Sequence, residues 1–205
     1  LVACAGEPPP PVRAPGSDTS HGAPHSGPSL EDRAWGVLRS PALGLKLALP
    51  EARGWSEPGK SAPEAASWRL EHAATGTRLN LRRWRSSRLP RVDICDTELR
   101  QRVPGLASPD ETNLVAEREV RVPQGFVTRI TLLAAPAGGA GSPGSGPRFH
   151  GQATAVGAGV GECLAVVAQT ETTSEAELAE RLRLLDVALG HLRLSHIEDR
   201  VPAPP

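Results

Sequence analysis

Residues 174–192 read SEAELAERLRLLDVALGHL, and this stretch has the most regular pattern in the chain. It opens with Ser174 and Glu177 at the spacing of a capping box, in which each side chain bonds to the backbone N–H of the other residue. The leucines that follow recur at alternating spacings of four and three, at positions 178, 182, 185, 189 and 192. That spacing places them on one face of a helix. The pattern therefore predicts a long C-terminal helix with one buried face.

Most of the chain before this helix alternates between apolar and polar residues, as β-strands do. A strand of alternating leucines ends at Pro50, and residues 67–85 predict a hairpin. Within that hairpin, Trp84 has the opposite parity from Leu79 and Leu81, which predicts a bulge or the end of strand pairing between them. Further strands are predicted at residues 113–122, 125–135, 148–157 and 162–170.

A short middle helix is predicted at residues 93–102, with Asp93 as its N-cap. Cys95 and Leu99 lie four residues apart and therefore on one face of it. Together these elements predict an α+β fold. We expect a mostly antiparallel sheet of about six to seven strands, packed by the short middle helix and the long C-terminal helix. This single domain would span residues 35–197.

The order of these elements resembles a known family. The first strand ends in Leu49-Pro50 and is followed by a loop with Trp55. Next come a hairpin with Trp68 and Trp84, a middle helix, and a closing hairpin that leads into an amphipathic helix. Over residues 40–197 this order is similar to the PsbP-like α/β/α sandwich, which also occurs in bacterial lipoproteins of the DcrB type. The resemblance implies an accessory or interaction protein without catalytic residues.

The first four residues, Leu1-Val2-Ala3-Cys4, match the lipobox of bacterial lipoproteins. On this interpretation residues 1–3 end a signal peptide and Cys4 is the lipidated residue that anchors the protein to a membrane. The alternative is an apolar N-terminus with a free cysteine. An aspartate directly after the cysteine would favour retention in the inner membrane, but this chain has Ala5 at that position. The outer membrane is therefore favoured, with the domain in the periplasm or at the cell surface.

The residues after Cys4 have the composition of a tether. Pro, Gly, Ser and Ala dominate residues 4–34, and a segment without apolar periodicity cannot bury enough surface to offset its ordering entropy. We expect a lipidated, disordered tether that gives the folded domain reach from a bilayer. Residues 198–205 form a second segment that we expect to be disordered.

Two cysteines, Cys95 and Cys163, remain once Cys4 is assigned to the lipid. In an exported protein, an even number of remaining cysteines favours a disulfide between them. The alternative is two separately buried thiols, which would pack as small hydrophobic side chains.

The densest run of charge lies around residues 78–91, in a chain with 23 basic and 23 acidic residues and no net charge. We consider an interaction surface there, formed by Arg82, Arg83, Trp84, Arg85 and Arg88. Guanidinium groups suit lipid headgroups, lipopolysaccharide phosphates or an acidic protein partner. The alternative is the solvated face of a strand and loop. Nucleic acid is not expected as a partner outside the cytoplasm.

Motifs that would indicate catalysis are absent from the sequence. It contains no HExxH, no CxxC pair, no phosphate-binding loop with its Lys-Ser/Thr, and no Gly-x-Ser-x-Gly turn. We therefore expect no catalytic residue, metal or cofactor. The predicted function is interaction or assembly with an envelope protein. The alternative is a small-molecule carrier or sensor, with a pocket between sheet and helices lined by Trp68, Trp84 or Phe126.

Overall fold

The computed structural model describes residues 34–59, 67–122, 126–136 and 147–194, which form ten strands and two α-helices. The strands are β1 (Trp35–Ser40), β2 (Leu45–Pro50), β3 (Trp55–Ser56), β4 (Ser67–His72), β5 (Arg78–Arg85), β6 (Leu114–Val122), β7 (Phe126–Pro136), β8 (Phe149–Ala158), β9 (Glu162–Thr172) and β10 (Arg193–Leu194). The helices are α1 (Val92–Arg102) and α2 (Glu175–Gly190), and a 3-10 turn spans Ala52–Gly54.

The strands form two antiparallel sheets. The larger has seven strands in the order β3-β4-β5-β9-β8-β7-β6, and the smaller has three in the order β1-β2-β10. In the large sheet consecutive strands are neighbours except β5 and β6, because β5 pairs with β9; in the small sheet β10 pairs with β2. This arrangement confirms the predicted α+β class, with a short middle helix and a C-terminal helix.

Helix α2 begins where the capping box predicts. The Ser174 side chain accepts a hydrogen bond from the backbone N–H of Glu177, at 3.3 Å. All five leucines of the predicted stripe are buried, at positions 178, 182, 185, 189 and 192. They form one core with the inward leucines of β2 and with β5, β8 and β9. One face of the large sheet is therefore covered jointly by α2 and the small sheet.

Helix α1 covers the opposite face of the large sheet. Cys95 and Leu99, both fully buried, pack there against Cys163, Ala165 and other apolar residues of β8 and β9. The N-cap of α1 is Arg91 in extended conformation, and Asp93, predicted as the cap, lies inside the first turn. A carboxylate in the first turn still stabilises the positive end of the helix dipole. The large sheet is thus buried on both faces.

Strand β5 explains the parity of Trp84. Pairing with β9 is continuous from Arg78 to Arg85, so the predicted bulge is wrong. Pairing with β4 does end at Arg82, as the alternative predicted. Trp84 has the opposite parity from Leu79 and Leu81 because it packs on the α1 side of the sheet, whereas the leucines face α2.

The structure contains the disulfide between Cys95 and Cys163, whose Cα atoms are 5.5 Å apart. It links α1 to the central strand β9. The predicted signal-peptide residues 1–3, the tether with Cys4 and the tail 198–205 lie outside the described residues, so these assignments stay predictions. Among the residues described, no helix is long and apolar enough to span a bilayer.

The disulfide predicts a loss of stability when it is removed. The bond closes a separation of 68 residues, so on the chain-entropy model it contributes ~4 kcal/mol to the free energy of unfolding. We expect Cys95→Ala/Cys163→Ala to unfold at a lower urea concentration than wild type without reductant. When dithiothreitol is added during urea denaturation, the unfolding midpoint of wild type should match that of the double variant. Equal midpoints for oxidised wild type and the variant would contradict this expectation.

Candidate functional site

The residues of the predicted arginine surface lie on two different sides of the large sheet. Alternate residues of a strand point to opposite faces. Trp84 faces α1, where its indole N–H donates to Glu98 at 2.6 Å. Arg83 faces the other way, donating to Glu162 at 2.6 Å and to the Leu43 carbonyl at 2.9 Å. The five residues therefore do not form one continuous surface.

Only part of the predicted surface is open to solvent. Arg85 and Arg88 are exposed, but the Arg83 side chain is 27% exposed and is held by its ion pair with Glu162. Trp84 is half-buried and fixed through Glu98. The Trp84 hydrogen bond, followed by one from Ser86, lowers the pKa of the Glu98 carboxyl below its usual value.

The aromatic residues proposed to line a pocket do not surround one cavity. Trp68 and Phe126 are each only 6% exposed and belong to the main core. Trp84 packs on the other face of the sheet, in the smaller cluster beside α1. The described residues instead form a cleft at a different place, lined by Trp55.

This cleft lies between α2 and the end of β2 with the β3–β4 pair, and it has a volume of about 180 Å³. Its apolar lining comes from Pro50, Trp55, Leu184 and Leu185. The polar side chains lining it are Glu51, His72, Thr75, Thr77, Glu177, Glu180 and Arg181. We call it the Trp55 cleft. An apolar cleft with a few convergent polar groups is the usual form of a small-molecule site.

Buried His72 starts a chain of hydrogen bonds that crosses the cleft. Its Nδ1 lies 3.0 Å from the Thr75 hydroxyl, which lies 2.8 Å from that of Thr77. Thr77 donates in turn to the Thr170 hydroxyl, at 3.0 Å. On the other side of the ring, Nε2 lies 3.5 Å from a Glu51 carboxylate oxygen. His72, on the apolar face of β4, is thereby held by Thr75 at one ring nitrogen and lies near Glu51 at the other.

Arg181 closes the other end of the network. Its guanidinium donates to the Thr170 hydroxyl and the Glu171 carbonyl, both at 2.8 Å, and to the Thr75 carbonyl at 3.1 Å. It also bonds to Glu177 at 2.5 Å. The side chain is only 14% exposed, and its buried Nε has no partner among the described residues. Arg181 thus ties α2 to β9 and to the β4–β5 turn.

The loop after β2 is shaped to bring Trp55 against His72. Glu51 has a positive φ of 52°, and the Trp55 indole N–H donates to the Pro50 carbonyl at 3.0 Å. The Trp55 and His72 ring centroids are 5.1 Å apart. A Cβ on Gly54 would lie 2.4 Å from His72 Nε2, so only glycine allows this approach. A positive φ at a residue other than glycine is strained and marks a constrained site.

The Trp55 cleft contains an acid, a base and an alcohol, and the hydroxyl is fully engaged by hydrogen bonds. Glu51, His72 and Thr75 stand in the order of an acid, a base and an alcohol, as in hydrolase triads. However, the Thr75 hydroxyl is already shared by His72, the Thr77 hydroxyl and the Thr77 N–H. One hydroxyl has one donor and two acceptor sites, so it is saturated. Within the described ranges, no group of three His, Cys, Asp or Glu residues could hold a metal ion.

Sequence reasoning missed the residues of this site, although two of them carried a signal. His72 occupies an inward position of β4, where an apolar residue is expected. Arg181 lies three residues after Leu178 and next to Leu182, at the border of the apolar stripe. A polar residue at a buried position requires partners, and here those partners form the site.

The fold is similar to that of known structures. The solution structure of cyanobacterial PsbP (CyanoP) from Synechocystis sp. PCC 6803 matches with a TM-score of 0.50 and 10% identity, over 79% of this chain and 93% of that chain. A crystal structure from Bacteroides thetaiotaomicron has a TM-score of 0.45 and 10% identity, over 82% of this chain and 51% of that chain. No family model and no curated protein sequence matches the chain. The CyanoP likeness confirms the PsbP-like fold expected from the order of elements.

The contacts of Glu177 predict an acid-sensitive helix start. Hydrogen bonds from Thr172, then from Arg181, lower the pKa of Glu177 below its usual 4.5. A carboxyl with a depressed folded-state pKa stabilises the fold above its unfolded pKa, and this contribution is lost as pH falls through the folded pKa. We expect Glu177→Gln to reduce the free energy of unfolding near neutral pH, by an amount that shrinks below pH 4.5.

Urea unfolding between about pH 3 and pH 7 measures this difference. Glu175→Gln is the matched control because Glu175 lies in the same first turn and is exposed. At every pH, Glu175→Gln should reduce the free energy of unfolding by less than Glu177→Gln does. A Glu177→Gln difference that stays constant with pH would contradict the assignment.

Proposed function

We propose that this chain is a membrane-anchored lipoprotein, held by lipid on Cys4, whose domain has a non-catalytic interaction or assembly role in the bacterial cell envelope. The observation that carries the non-catalytic part is the saturation of the groups that could react. The Thr75 hydroxyl has its hydrogen-bonding sites filled, His72 bonds to it, and Cys95 and Cys163 are joined to each other. A nucleophile or base must instead be available to a substrate.

The anchoring part rests on the sequence Leu1-Val2-Ala3-Cys4 and on the composition of the tether. The cysteine arrangement is consistent with export, because disulfides persist in oxidising compartments. The partner in this proposal is an envelope protein. Arg85 and Arg88 are the exposed members of the predicted arginine surface and are the residues we assign to contact with an acidic partner.

The anchor is tested by expressing the chain with a full signal peptide and separating detergent and aqueous phases. Wild type should enter the detergent phase because acyl chains contribute about 0.8 kcal/mol per buried methylene. Cys4→Ala should move it to the aqueous phase, and Ala5→Ser, the matched control, should leave it in detergent. If the wild-type protein is instead found in the aqueous phase, the lipoprotein assignment is overturned. Crosslinking in intact envelopes then tests the partner: Arg85→Glu/Arg88→Glu should lose a crosslinked band that wild type gives.

A second candidate function is supported by the Trp55 cleft. In this proposal the domain is a small-molecule carrier or sensor, and the ligand is a compact molecule with an apolar body. That body would pack between Trp55 and Leu184, and a polar group would face the guanidinium of Arg181, which lines the cleft. Because the polar network is already ordered, binding would cost little reorganisation.

Filling the cleft should abolish binding by this second mode. Leu184 is 7% exposed and lines the cleft, so Leu184→Trp should occupy its space. We expect the neutral fluorescent probe N-phenyl-1-naphthylamine to bind wild type and to lose most of its emission with the variant. Val127→Trp, at an exposed position of β7, is the matched control and should bind as wild type does. Equal emission from all three folded proteins would exclude the cleft.

A further inference from the structure

A second concave surface lies on the α1 side of the large sheet and is lined by residues of β4, β5 and β9. It has a volume of about 220 Å³, and its polar lining comes from Arg69, Glu71, Arg78, Asn80 and Gln169. Arg82 lies beside it, with Nε 3.4 Å from the Asn80 side-chain oxygen. Arg102 immediately precedes another lining residue, Val103. We call this surface the arginine groove and define it by Arg69, Arg82 and Arg102.

Backbone geometry brings these three arginines together. Arg69 of β4 pairs with Asn80, and Ser67 pairs with Arg82. Arg69 and Arg82 are therefore diagonal neighbours on one face, within reach of each other's long side chains. Arg102 arrives from the last turn of α1, with its guanidinium 5.4 Å from the ring of Trp84, which shares a face with Arg82.

The charge of the groove is only partly balanced. Neither Arg82 nor Arg69 pairs with a carboxylate among the described residues. Partial burial, followed by the charges of Arg69 and Arg102, lowers the pKa of Arg82 below its usual value. Like charges that are held together and partly desolvated repel each other more strongly than they would in water. A bound anion would relieve that repulsion.

The carboxylates on this face are too few to neutralise its arginines. Glu98 interacts with Arg102 and Arg88, and Glu71 lies 3.8 Å from Arg78. Glu98 is also engaged by two neutral donors, the Trp84 indole and the Ser86 hydroxyl. Two carboxylates therefore face five guanidinium groups when Arg69 and Arg82 are included. The sheet face is locally basic although the chain has no net charge.

We propose that the arginine groove binds the phosphate group of a small phosphate ester. Guanidinium groups match the geometry of phosphate oxygens and bond to them in bidentate fashion. Arg82 and Arg69 would hold the phosphate, and the amides of Asn80 and Gln169 would bond to the attached organic group.

The shape of the surface favours a soluble ester over a membrane. A bilayer surface is contacted by cations that project from a protein, whereas Arg82 is only partly exposed and lies beside a concavity. The exposed arginines at 85 and 88 lie in the last position of β5 and in the loop after it. Arg69 is exposed, but the half-buried amides of Asn80 and Gln169 lie within the concavity, where they suit a small ligand better than a flat bilayer surface.

Calorimetry with glycerol 3-phosphate as the probe tests this site, with glycerol as the uncharged comparison. The protein is the full chain carrying Cys4→Ala, which removes the proposed lipid site. We expect saturable binding of glycerol 3-phosphate alone. Its affinity should fall roughly tenfold or more in Arg82→Gln and in Arg69→Gln, since a charge-assisted hydrogen bond contributes about 1.5–3 kcal/mol.

Arg85→Gln is the matched control because Arg85 belongs to the same strand but points to the opposite face. Its affinity should stay within about twofold of that of the parent chain. If Arg82→Gln misfolds, a thermal unfolding experiment will reveal it. The test then relies on Arg69→Gln, because Arg69 is exposed. The proposal is overturned if glycerol 3-phosphate does not bind or if Arg85→Gln weakens binding as much as Arg69→Gln does. Arginine-dependent binding to phosphatidylglycerol vesicles without binding of the ester would also overturn it.

Discussion

Burial of strand β9 on both faces is the constraint on which the rest of the structure depends. Its residues 163–168 are each no more than 5% exposed and alternate between the two sides of the sheet. An apolar strand of this kind requires a layer on each side. Helix α2 and the small sheet cover one side, and α1, tied to β9 by the disulfide, covers the other. The α/β/α arrangement follows from this one strand.

At the ends of the strands, α2 shields backbone carbonyls and hydroxyl groups from water. These groups therefore need hydrogen-bond partners within the protein. A buried polar group destabilises the fold unless it is hydrogen-bonded. Arg181 supplies donors to the Thr75 and Glu171 carbonyls and to the Thr170 hydroxyl. The same arginine shapes the Trp55 cleft, so the contacts that attach α2 to the sheet also order the cleft. The candidate site is therefore part of the framework that holds α2 on the sheet.

The regular elements could be predicted from the sequence because burial imposes a period on it. The leucine stripe of α2 and the alternation of apolar and polar residues in β4 to β9 indicate directly which face of each element is buried. Strands β1, β3 and β10 were not predicted. Strands β3 and β10 have only two residues each, and no apolar residue of β1 is fully buried, so none of them has a clear pattern. The Trp55 cleft was not predicted because it depends on contacts between distant segments. It assembles residues 50–55, 72–77 and 177–185, and no local pattern reports that these segments meet.

The opposite charges of the two concave surfaces show why net charge alone is a poor guide to binding. The chain has equal numbers of acidic and basic residues. Yet the Trp55 cleft is lined by Glu51, Glu177 and Glu180 with one guanidinium, Arg181. The arginine groove on the other side of the sheet is lined by Arg69 and Arg78 with one carboxylate, Glu71, and Arg82 lies beside it. Electrostatic attraction at physiological ionic strength extends only about 8 Å. Each surface therefore presents its own local charge, and the packed sheet separates the two.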